Sequence, residues 1–120
     1  MERRAFTEAL QAALPADVTV YAQPPDTVAV PAVVVLPGSP YMKRGTSCLY
    51  EMRLDIVLLV PRTDERAAYD GIDALLLQVR DAVQGISSAA LDTVNAVGPT
   101  EEVQGVSYLS ATASVVVFTY

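Results

Sequence analysis

Few side chains in this sequence could do chemistry, and their spacing argues against a reaction. Histidine is absent and Cys48 is the lone cysteine. That removes the Ser-His-Asp and Cys-His arrangements, and the zinc sites that draw on imidazole or several thiolates. With no base beside it, Cys48 reads as a small packed side chain ahead of a strand, not as a nucleophile. Asp70 and Asp73 share the wet side of a helical pattern, whereas general acid–base catalysis needs a carboxyl in a pocket that tunes it. Gly38 and Gly45 fit neither the phosphate-loop nor the dinucleotide-binding spacing. Asn95 is the sole asparagine, so the Arg-plus-Asn loop cradle of acylphosphatase-type chemistry has no counterpart. No enzymatic activity is expected, and no cofactor or metal. The charges left over are suited to contacts: the adjacent cations Lys43 and Arg44, and the adjacent acids Glu101 and Glu102. These four are the expected interface positions.

Composition narrows the classes further. The chain has 120 residues, of which 52% are hydrophobic and 18% charged. This is too apolar for a disordered chain, and the length suits one domain over 1–120 with a real core. Eight basic against fourteen acidic residues give a net charge of -6, which disfavours a general phosphate-backbone binder, because that affinity comes from Lys and Arg. A single cysteine allows no intrachain disulfide. The charged N-terminus has no apolar segment behind it, so no leader sequence is expected. The most apolar run, Val28 to Leu36, is interrupted by Pro31 and is far short of the ~20 residues of a membrane span.

Residues 2–13 read as an amphipathic helix, with Ala5, Phe6, Ala9, Leu10, Ala13 and Leu14 on one side and Glu2, Arg3, Thr7, Glu8 and Gln11 on the other. Pro15 ends it. Val18–Tyr21 favours strand. Five of the eight prolines lie between Pro24 and Pro40, so that crossing is extended. Within it Ala32–Leu36 reads as a short strand that stops at Pro37, and Gly38–Ser47 reads as a long exposed loop. Tyr50–Val60 alternates as a strand, with Tyr50, Met52, Leu54, Ile56, Leu58 and Val60 on one face and Glu51, Arg53 and Asp55 on the other. Asp64–Gln84 is the clearest helix. Tyr69, Ile72, Leu75, Leu76, Val79 and Val83 recur at helical spacing, Thr63 or Asp64 caps its start, and Gly85 stands at its end. Thr93–Val97 reads as a strand, Gly98–Glu102 as a turn or loop, and Tyr108–Thr119 as the final strand. The order predicts an α+β fold: a single antiparallel or mixed sheet with two main helices on one face.

The strands are apolar beyond what one covered face needs. Ile56–Val60, Val115–Phe118 and Ala32–Leu36 are apolar at nearly every position, the pattern of a sheet buried on both sides. Either loops wrap the second face, or another subunit covers it.

Four segments together resemble the tail terminator proteins of long-tailed phages, in particular those of actinobacterial phages. The first is the N-terminal helix leading into Leu14-Pro15-Ala16-Asp17-Val18-Thr19-Val20-Tyr21. The second is Pro24-Pro25-Asp26-Thr27 followed by Pro31-Ala32-Val33-Val34-Val35-Leu36-Pro37-Gly38. The third is Cys48-Leu49-Tyr50 running into Arg53–Arg62 and the helix with Ile72-Asp73-Ala74-Leu75-Leu76. The fourth is Val103-Gln104-Gly105-Val106-Ser107-Tyr108-Leu109 with the closing strand. The signal is order and spacing over nearly the whole chain. The resemblance implies a structural virion protein at the head–tail junction, assembled in the host cytoplasm. It implies a homo-oligomeric ring, usually hexameric, on the last ring of tail tube protein; such a ring stops tube growth and presents a surface to the head–tail connector. DNA passes through the lumen, and no membrane is involved. The family supplies no catalytic residues to carry over. Two other classes stay open: a different phage neck or head-completion protein, and a small ferredoxin-like regulatory domain that binds a ligand.

Overall fold

The computed structural model describes residues 3–23, 31–45, 49–62, 64–86, 88–95, 98–99 and 108–119. Helix α1 spans Arg3–Ala13 and helix α2 spans Glu65–Gln84. The strands are β1 (Thr19–Tyr21), β2 (Ala32–Arg44), β3 (Tyr50–Pro61), β4 (Ala89–Val94), β5 (Gly98–Pro99) and β6 (Tyr108–Thr119). They form one mixed sheet in the order β1-β2-β3-β6-β4. β1 runs parallel to β2 and the other neighbours are antiparallel. β5 also pairs with β6, Gly98 lying opposite Ser110. Because β3 pairs with β6 along the whole of Tyr108–Thr119, β4 and β5 line its other edge. The fold is α+β with both helices on one face of the sheet, as the sequence predicts.

The helical face is the main core. Val33 and Val35 of β2, the even residues Met52 to Val60 of β3 and the odd residues Leu109 to Val117 of β6 meet Phe6 and Leu10 of α1 and Ile72, Leu75, Val79 and Val83 of α2. Helix α2 starts where Asp64 sits in extended backbone and its side chain accepts the Arg66 N–H at 3.1 Å, an N-cap. It stops at Gly85, whose N–H donates to the Asp81 carbonyl at 3.2 Å in right-handed backbone. Two polar residues of α1 depart from the wet face that periodicity assigns them. Thr7 is buried, because its hydroxyl donates to the Arg3 carbonyl at 2.8 Å and so needs no water. Arg3 is half-buried and its guanidinium donates to the carbonyls of Ala22 and Val35, tying α1 to the β1–β2 edge.

The second strand contradicts the predicted boundary. Pro37 does not end it, and Gly38–Arg44 is not a loop: β2 runs on past Pro37 and Pro40 to pair Met42 with Met52, Lys43 with Glu51 and Arg44 with Tyr50. The physical reason is the brevity of β1, which pairs only Ala32–Val34. Beyond Val34 the outer side of β2 is a sheet edge among the described residues, where a proline nitrogen facing outward breaks no ladder. The register shifts between Pro37 and Met42, and Ser39–Pro40 is cis. Thr46 and Ser47 lie outside the described residues. Glycine at 38 has a steric cause, since a Cβ there would stand 2.8 Å from the Arg53 carbonyl oxygen and 2.9 Å from its Cγ. Gly38→Ala is therefore expected to push β2 off β3 at the bulge and cost about 1–3 kcal/mol, read as a lower urea midpoint.

The last two predicted boundaries also shift. β4 spans Ala89–Val94 and so starts ahead of the expected Thr93, because Ala89 and Leu91 already pack on the core beneath α2; Ala96 and Val97 of the expected Thr93–Val97 strand lie outside the described residues. Gly98–Pro99 is paired strand and not loop.

The face without helices is divided. At one end Ala32, Val34, Leu59 and Tyr108 form a second buried cluster, with Tyr21, Leu36 and Val57 packed against it. This half is covered within one chain, so no partner is needed to shield it. At the other end the same face is polar, and Arg53 bridges three strands by donating to Asp92 Oδ2 and Ser114 Oγ, both at 3.0 Å. A register shift between Leu91 and Thr93 brings Asp92 to that side.

Candidate functional site

Strands β2, β3 and β6 run on together to a distal end defined by Arg44, Tyr50 and Thr119. The molecule measures 48 × 23 × 23 Å, and this end lies along its long direction. Four of the seven large hydrophobic residues exposed among the described residues collect here: Tyr41 (40%), Met42 (48%), Tyr50 (41%) and Phe118 (41%). Strand pairing fixes their placement. Met42 lies opposite Met52 and Arg44 opposite Tyr50, which puts Met42, Arg44 and Tyr50 on the helical side. Phe118 lies opposite Glu51, and Glu51 opposite Lys43, on the other side. The distal end is thus an apolar tip with cations on both faces.

The two predicted cations have different standing. Lys43 Nζ is 3.6 Å from Glu51 Oε2, an exposed cross-strand pair worth about 0–1 kcal/mol. Arg44 has no ion pair among the described residues and is exposed. The structure brings Lys43 and Arg44 together at the tip of a paired hairpin, closed by the Gly45 N–H donating to the Leu49 carbonyl at 2.8 Å. Glu101 and Glu102 lie outside the described residues. Sequence reasoning missed Tyr41, Met42, Tyr50 and Phe118. Tyr50 and Phe118 follow the strand alternation correctly, but alternation cannot tell where the helices stop covering the sheet.

At the opposite end of β3 lies a cleft of about 290 Å³, lined among others by Val18, Val60, Pro61, Gly71, Ala74 and Leu75. Asp17 stands on its rim, exposed and without an ion pair among the described residues. A shallower trough of about 660 Å³ separates α1 from α2 and is lined among others by Ala9, Ala12, Ala13 and Ala82, with Asp81 at one side; Arg80 pairs with that carboxylate at 3.1 Å. Neither has the convergent polar groups that orient a small ligand. Among the described residues no group of three or more metal-ligating acids or thiols converges. No helix of the structure is long and apolar enough to cross a membrane.

No protein-family model matches this chain, and no curated protein matches it significantly.

Proposed function

We propose that this protein is a structural phage protein of the tail-terminator kind. It forms a ring of identical copies on the end of a tail tube, stops further polymerisation and offers the surface to which the head connector docks. The observation that carries the reading is the distal end of the sheet. A sheet that outruns its two helices and ends in four exposed large hydrophobics beside Arg44, which has no ion pair among the described residues, is built for contact with other chains. The resemblance in segment order gives that contact its setting, and the net charge of -6 suits a lumen through which DNA passes without sticking. The partners are copies of itself, the tail tube protein and the connector, and the protein acts without cofactor or catalysis.

The arrangement of strands favours this over the regulatory-domain alternative. A ferredoxin-like domain has the element order β-α-β-β-α-β, with two strands between its helices, whereas here three described strands, β1, β2 and β3, lie between α1 and α2. The deciding experiment is tube assembly in vitro. Tail tube protein polymerised with this protein present should give tubes capped at one end and of limited length by electron microscopy. Tubes of unchanged length without end density would remove the terminator reading.

A further inference from the structure

We propose that copies of this chain join head to tail, with Tyr50 and Arg44 at the distal end of one copy seated in the Asp17-rimmed cleft beside α2 of the next. This supplies the copy-to-copy contact of the proposed ring and rests on that reading only for its biological setting.

The two surfaces are complementary in kind. The tip offers an aromatic ring and a guanidinium side by side, because Arg44 and Tyr50 are directly opposed on neighbouring strands. The cleft offers an apolar floor from Val18, Val60 and Leu75 and a carboxylate on its rim. Among the described residues no lysine or arginine lines it. In a chain of net charge -6, two copies repel on average, so a contact needs a local cation against a local acid. The cleft, at about 290 Å³, is also at the bottom of the ~300–1,000 Å³ range of small-ligand pockets, a size suited to one inserted side chain, Tyr50, with Arg44 at the Asp17 rim.

The two surfaces cannot meet within one molecule. Tyr50 and Pro61 are the two ends of β3, and a strand of that length spans about 36 Å at ~3.3 Å per residue. Tyr50 belongs to the tip, while Val60 and Pro61 line the cleft. Their joining is therefore intermolecular and heterologous, the kind of contact that closes a ring or propagates a filament.

Gly71 is an independent sign. It lies in the middle of α2, where glycine costs a helix about 0.5–1 kcal/mol relative to alanine. Its own chain does not require it: a Cβ there would meet nothing nearer than Val60 Cγ1 at 3.9 Å, an ordinary contact. Gly38, by contrast, is forced by Arg53. The side chain missing at 71 opens the cleft to an occupant from outside.

The test uses two single-cysteine proteins made in a Cys48→Ser background. Met42→Cys marks the tip while leaving Tyr50 and Arg44 intact, and Gln78→Cys marks the far lip of the cleft. With a short bis-maleimide, the mixture should give cross-linked dimers and each protein alone only traces. Arg44→Asp or Asp17→Arg should each lower the yield about fivefold, as loss of an exposed ion pair allows, and the two exchanged charges combined across the mixture should restore it. Equal cross-linking of either protein with itself would mean a two-fold contact and overturn the proposal. So would no cross-link at high protein concentration and on tubes, or capture of tube protein by the Gln78→Cys position. Head-to-tail cross-links from a protein that leaves tube length unchanged would uphold the contact and remove the terminator reading.

Discussion

Replacing Ile56 with alanine is expected to cost about 2–5 kcal/mol, a large part of the ~5–15 kcal/mol that holds a domain folded. Ile56 is fully buried near the middle of β3, opposite Val35 on one neighbour and Ala113 on the other, in the core beneath the helices. Truncation leaves a void that neither the paired strands nor α2 can close without breaking their own contacts. Val57, one residue on, faces the helix-free side and is half-buried. Val57→Ala is expected to cost about 1 kcal/mol or less, as partial burial of two methyl groups implies. Urea unfolding at constant slope measures both. Equal losses would show that the two faces are packed alike, against the division into a main core and a small second cluster.

That division marks how far the sequence could be read. Where one period dominates, residue order was enough: Ile72, Leu75, Val79 and Val83 place α2 on the sheet, and Tyr108–Thr119 is strand over the span expected. Proline rules failed at Pro37, because whether a proline breaks a strand depends on whether that stretch is a sheet edge. The edge was set by how few residues of β1 pair with β2, a tertiary fact. The apolar runs on both faces were legible, but their meaning was not. Ala32, Val34, Leu59 and Tyr108 are buried by their own chain, while four of the seven exposed large hydrophobics among the described residues sit at the distal end, where the sheet outruns its helices. Lys43 and Arg44 were legible as charges suited to contacts. Their difference was not, since only strand register puts Glu51 opposite Lys43 and Tyr50 opposite Arg44. The cleft left no mark in the sequence beyond a glycine inside a helical pattern.

That glycine allows stability and assembly to be moved in opposite directions. Gly71→Ala should stabilise the monomer by about 0.5–1 kcal/mol, because α2 gains a better helix former and the added Cβ meets Val60 at van der Waals distance. Gly71→Gln should also be at least as stable as the parent, since glutamine is a good helix former and its polar end can reach solvent. For assembly the two part company. Alanine adds one methyl group at the edge of the cleft and should weaken copy-to-copy contact modestly. Glutamine carries a chain of several heavy atoms across a space of about 290 Å³ and should exclude the incoming Tyr50. Overpacking at a formed contact costs about 1–3 kcal/mol, roughly a 5- to 150-fold loss at each interface, and a ring repeats that loss at every one of its contacts. Thermal unfolding of the monomer and tube length by electron microscopy read the two effects separately. The expected pairing is an unfolding temperature raised or unchanged together with over-long, uncapped tubes. A Gly71→Gln protein that stays folded and caps tubes at normal length would show that nothing enters the cleft, and that the glycine is a cost the helix bears without return.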